Sequence, residues 1–144
     1  MARGDLHNLI RLHEWQVDEK RRRLGELLRV LDDLENRLKR LEEEVVREQH
    51  VAAQDPSGAG FLYGNYAEAV IERREKLKES IARAEAEIAR ARDDLREAYR
   101  DLKKYEIAQR NRDQRAAAEA ARKEQVVLDE LGIQGYRQRL TAPA

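Results

Sequence analysis

From Ile10 onward, every seventh residue is apolar for the length of a long helix: Ile10, Val17, Leu24, Leu31, Leu38, Val45, Ala52. The residues four before each read Leu6, His13, Lys20, Leu27, Leu34, Leu41 and Glu48. Together the two series are the a and d positions of a heptad repeat, firmest from Leu24 to Val45. A seven-residue period falls short of two ideal helical turns, so this narrow seam can close only by supercoiling left-handedly against a partner. The partner is in the same chain. Ile81, Ile88, Leu95 and Leu102 form one further series, and Val70, Leu77, Ala84, Ala91, Ala98 and Tyr105 form another.

Between the two patterns lies the one stretch rich in turn residues, Asp55 to Gly64, which holds Pro56 and the glycines Gly58, Gly60 and Gly64. Proline pushes the residue before it out of the helical region. Folding the chain back there sets the leucines Leu27, Leu34 and Leu41 against Ala98, Ala91 and Ala84, large against small, with Leu24 near Leu95 and Leu38 near Ile81. The expected fold is all-α: two long helices in an antiparallel coiled-coil hairpin, the second longer and overhanging the first. The whole chain, 1–144, is expected to be one such hairpin. Helix 1 is expected over about 5–53 with Asp5 as N-cap, and a hinge loop over about 54–64. Helix 2 is expected over about 65–131, and a short tail over 132–144. Asn65-Tyr66-Ala67-Glu68 reads as a capping-box variant opening helix 2. Leu131-Gly132 reads as its end, with the glycine just past the last turn.

Composition excludes several functions. Lys and Arg number 29, as do Asp and Glu, so no net field draws the chain to nucleic acid or anionic lipid. The basic stretches at Lys20–Arg23 and Gln109–Arg115 are interleaved with acids and read as solvated helix faces. There is no cysteine, hence no disulfide and no thiolate metal site. No apolar run approaches the roughly 20 residues that span a bilayer, and the first residues lack a signal-peptide core. A soluble cytoplasmic protein is expected, peripheral to a membrane only through a partner and not inserted in it.

Catalytic patterns fail one by one. Gly58 to Gly64, GAGFLYG, has its third glycine one residue late for a dinucleotide loop and follows a helix instead of a strand. His7, His13 and His50 are the only histidines, and their spacing makes no zinc set. A two-helix seam offers no cleft to desolvate an acid. No enzyme, no cofactor and no metal are expected. His13 at a d position reads as a snorkelling or partner-facing seam residue.

More informative are the departures from the seam. Lys20 stands at a d position with Leu102 among its expected neighbours, and Gln109 and Arg112 stand where helix 2 should continue its stripe. The open end of the hairpin is polar where the helices should zip, either to fix register or because both helices meet another surface there. Trp15, the only tryptophan, lies off the stripe. At the bend, Phe61, Leu62, Tyr63 and Tyr66 either fold over Val51 and Val70 as a cap or stay exposed to dock on a partner.

LIRLHEWQVDEKRRRL, YGNYAEAVIERREKL, LKKYEIAQRNRDQR and RKEQVVLDELG together resemble the flagellar export protein family FliJ, in a form similar to its alphaproteobacterial members. The resemblance runs over almost the whole chain. It implies a component of the flagellar type III export apparatus, a coiled coil similar to the shaft of rotary ATPases. Such a stalk associates with the hexameric export ATPase by its open end, contacts the membrane export gate protein, and escorts export substrates or their chaperones. For the ATPase end the residues implied are Arg11, Trp15, Asp18, Arg22, Arg110, Arg115, Gln125 and Asp129. Asn65 and Tyr66 match the family's hinge pair. Arg73 and Lys76 depart from the pattern, standing where a gate contact would be apolar. The alternative reading is a coiled-coil adaptor or holdase chaperone of another system, with no ring partner.

Overall fold

A computed structural model describes residues 6–54 and 59–142, the side chains of 59–63 excepted. The chain is an all-α hairpin of two helices, α1 (His7–Gln54, 48 residues) and α2 (Ala59–Thr141, 83 residues), the second the longer. Asp5 and Pro56, expected as N-cap and stop, lie outside the described residues, as do the side chains of Phe61, Leu62 and Tyr63.

Two compact units divide the chain: Trp15–Tyr99, and Met1–Glu14 with Arg100–Ala144. Within the first, contacts run in opposite senses along the two helices, so α1 and α2 are antiparallel. Glu42 pairs with Arg74 at 2.6 Å, Arg23 with Glu87 at 3.6 Å, and the Arg21 guanidinium lies over the Tyr99 ring at 5.1 Å from its centroid. Leu27, Ile88 and Ala91 form a buried cluster, against which Leu24 and Leu31 pack. Val17, Leu41, Val70, Ala84 and Ala98 are buried along the same seam. The alanines let the two backbones come close, and the leucines fill the space they leave.

The leucine–alanine pairing differs from the expected one by a heptad. Leu27 meets Ala91 and not Ala98. Both registers bury the same residue types, because a heptad slip maps each series onto itself. What separates them is the length of the connection. α1 is helical to Gln54 and α2 from Ala59, which sets the pairing closer to the bend than a hinge over 54–64 would.

Both ends of α2 lie beyond the expected limits. It begins at Ala59, so the Asn65 capping box is not used, and it passes Gly132 to reach Thr141. Gly64 and Gly132 sit inside the helix with ordinary backbone angles and open space around the missing Cβ. An isolated helical glycine costs about 1 kcal/mol relative to alanine, which does not stop a helix whose neighbours favour it. The actual end has its own chemistry. Thr141 Oγ1 donates toward the carbonyls of Arg137 at 3.0 Å and Gln138 at 3.3 Å, and Arg139 in the last turn complements the helix dipole. Ala142 then precedes Pro143 in the sequence, where helical geometry is disfavoured. Gly132→Ala should therefore raise helix content and stabilise the C-terminal turns by about 1 kcal/mol. A fall in ellipticity at 222 nm would restore the glycine as a terminator.

Candidate partner-binding surface

The Gln109 side chain joins the start of α1 to α2 in the unit made by Met1–Glu14 and Arg100–Ala144. The Leu6 backbone N–H donates to Gln109 Oε1 at 2.8 Å, and Gln109 Nε2 donates to Asp113 Oδ1 at 2.9 Å. Leu6 O in turn accepts from Ile10 N–H at 2.8 Å, the first bond of α1. One of the orphan donors at a helix N-terminus is thus satisfied by a glutamine of the other helix, whose amide is oriented by an aspartate one turn on. Gln109, read as a polar break in the seam, is only 9% exposed and caps α1. The signal in the sequence was the Gln109/Asp113 spacing, which places both on one face of the helix. Its use could not be read without knowing that the chain start lies opposite.

The next layer is His13, whose ring stacks on Tyr105 with centroids 4.6 Å apart and planes 24° apart. His13 faces Tyr105 across the seam; its Nδ1 is buried and reaches no hydrogen-bond partner among the described residues. Gln109→Met keeps the volume and removes the acceptor. We expect it to cost about 1 kcal/mol, read as faster amide exchange in the first turn of α1 with the Leu27 region unchanged. Unchanged protection at Leu6 to Ile10 would show that water replaces the glutamine without loss.

Beyond Asp113, α2 stands without a packing partner among the described residues. From Arg110 to Ala142 every residue except Gly135 is exposed. Charged and polar side chains there pair along the helix: Arg122 with Glu119 at 2.7 Å and Gln125 with Asp129 at 2.9 Å. The Arg122 guanidinium holds the Glu119 carboxyl below its ordinary range. The a-type series that lines the seam at Ala84, Ala91, Ala98 and Tyr105 continues in phase through Arg112 and Glu119 to Val126, Ile133 and Leu140. These last three are 52%, 54% and 67% exposed, with Tyr136 beside them at 61%.

The implied contact residues fall into both units. Arg11, Arg110, Arg115, Gln125 and Asp129 belong to one, and Trp15, Asp18 and Arg22 to the other. All eight are exposed. Trp15 leaves 59% of its surface in solvent, and the bonds of Arg22 to Glu19 and Asp18 to Arg21 stay on α1. Tyr66 is partly buried. Burial first, and then the nearby Glu44 carboxylate, push the Tyr66 hydroxyl above the ordinary tyrosine range. A raised tyrosine keeps its proton in the folded state while the unfolded chain begins to ionise. Stability is therefore complete below pH about 10 and declines as pH rises through the folded value. Tyr66→Phe should flatten that alkaline decline; an unchanged slope in alkaline melts would disconnect Tyr66 from it.

Among the described residues no group of three or more His, Cys, Asp or Glu could hold a metal ion, and no helix is long and apolar enough to cross a membrane.

A family model described as "Flagellar FliJ protein" matches residues 2–141. The chain belongs to the flagellar FliJ family. Relatives bearing the name Flagellar FliJ protein in two strains of Caulobacter vibrioides are 33% identical over 126 residues, covering 88% of this chain and 90% of theirs. FliJ membership makes the chain a component of the flagellar export apparatus. No solved structure matches it.

Proposed function

We propose that the chain is a coiled-coil stalk for the flagellar export ATPase, engaging the hexameric ring through the helix ends remote from residues 55–58. In the same role it escorts export substrates or their chaperones to the membrane export gate protein, on the cytoplasmic face. The observation that carries this reading is the exposed run of α2 from Arg110 to Ala142. A helix left bare for so many turns gains nothing from tertiary packing, so its retention as a charged, half-apolar helix makes sense as a surface for another protein. Trp15 and the arginines Arg11, Arg110 and Arg115 add the residue types that anchor protein contacts. Exposed ion pairs contribute little stability, so such a face can change its contacts without loosening the hairpin.

Copurification with the export ATPase tests the proposal. The purified chain should stimulate ATP hydrolysis, and the Arg11→Ala/Trp15→Ala/Arg115→Ala variant should stimulate it several-fold less while melting as the parent does. Absence of any complex with the ATPase would favour the adaptor or holdase reading.

A further inference from the structure

In the unit made by Met1–Glu14 and Arg100–Ala144, the last turns of α2 carry an apolar stripe that α1 does not cover. Val126, Ile133 and Leu140 recur a heptad apart, Tyr136 stands between the last two, and all four are exposed. The stripe prolongs the series of the hairpin seam, interrupted at Arg112 and Glu119. α1 begins opposite Gln109, well short of it. A stripe this narrow fits a single facing helix, as a coiled-coil seam does.

The charges on and beside the stripe select which helix. Glu130 and Arg137 lie on one flank, a heptad apart, and neither makes an ion pair among the described residues. Within the stripe, Asp129 occupies the position that Tyr136 takes a heptad later. Side by side and parallel, two copies would set Asp129 against Asp129 in the seam and leave Glu130 and Arg137 opposite Gln125 and Gly132, which carry no charge. An antiparallel pair turned about Ile133 removes both conflicts. Ile133 then meets Ile133, and Val126 meets Leu140 of the second copy. At a rise of about 1.5 Å per residue, Arg137 stands about 1.5 Å in height from Glu130 of the second copy, on the same flank, and symmetry makes this pair twice. Asp129 comes level with Tyr136 of the second copy, whose hydroxyl can donate to the carboxylate.

We infer that the chain pairs with a second copy of itself through residues 126–140, as an antiparallel two-helix contact with its symmetry axis beside Ile133. The same patch serves both chains, so the contact closes at two. It spans about two heptads, at the small end of interface size, so it forms and parts with concentration. It goes beyond the stalk reading and does not depend on it.

Sedimentation of the full chain tests the pairing. The mass should rise from one chain to two with concentration, with a midpoint in roughly the micromolar-to-millimolar range. Arg137→Glu and Glu130→Arg should each associate at least about tenfold more weakly, with the helix content of the parent by circular dichroism. The two variants mixed, or the double swap Glu130→Arg/Arg137→Glu, should regain pairing. Because the chain has no cysteine, introduced ones report the register under mild oxidation. Ile133→Cys should crosslink to its own copy. Val126→Cys should not, since its two copies lie about 21 Å apart along the pair, but it should crosslink to Leu140→Cys. A mass of one chain up to about 1 mM overturns the inference. So does self-crosslinking of Val126→Cys without that of the mixed pair, which marks parallel helices, or association that charge reversal leaves unchanged.

Discussion

Leu27→Ala should cost the hairpin about 2–4 kcal/mol, and adding Ala91→Leu should recover much of that loss, whereas adding Ala98→Leu should not. Leu27 is 6% exposed and packs against Ile88 and Ala91, so truncation removes its contacts on both helices and opens a gap two rigid helices cannot collapse to fill. A leucine at the facing position restores the volume from the other side. A leucine at Ala98, itself buried at 8% exposure, adds bulk to a layer that is already full and costs a further 1–3 kcal/mol or so. Melting curves of the four chains, the parent, Leu27→Ala and the two double variants, read the register directly. Rescue by Ala98→Leu and not by Ala91→Leu would move the pairing by a heptad and overturn the packing described here.

Ala117→Pro should abolish helix from about Asp113 to Thr141. Proline removes the bond to the Asp113 carbonyl and clashes with that turn, a cost of about 3 kcal/mol. Elsewhere in the hairpin such a penalty could be offset by seam packing. Here it cannot, because every residue from Arg110 to Ala142 except Gly135 is exposed and the helix persists only as an extension of the turns before it. Residues beyond the proline would need a new nucleus, and a segment with glycines at Gly132 and Gly135 nucleates poorly. Roughly a fifth of the helical ellipticity should vanish. The Leu27 cluster, in the unit Trp15–Tyr99, should keep its amide protection. Full ellipticity in the variant would mean that the segment is held by a contact not seen in the single chain. On the stalk reading, the same variant should lose ATPase stimulation.

Helix type and hairpin sense were legible in the heptads because burial of a seam leaves its period in the sequence. Helix ends were legible less well. Gly132 carries the residue type of a terminator, but termination needs a left-handed backbone there, and none is present. The resemblance to FliJ, carried by four segments of sequence, agrees with the family match over residues 2–141. The contact residues it suggested are all exposed, but exposure is the common state of charged side chains and singles none of them out.

The sequence by itself determined that this chain is two amphipathic helices closing on each other, because periodic apolar residues have only one way to leave water in a helix. The tertiary structure alone decided which leucine meets which alanine and that Gln109 caps the start of the other helix. The physical reason is common to both. A repeat is unchanged by a shift of one period, so it specifies a face and not a register, and every contact between residues far apart in the chain depends on the register.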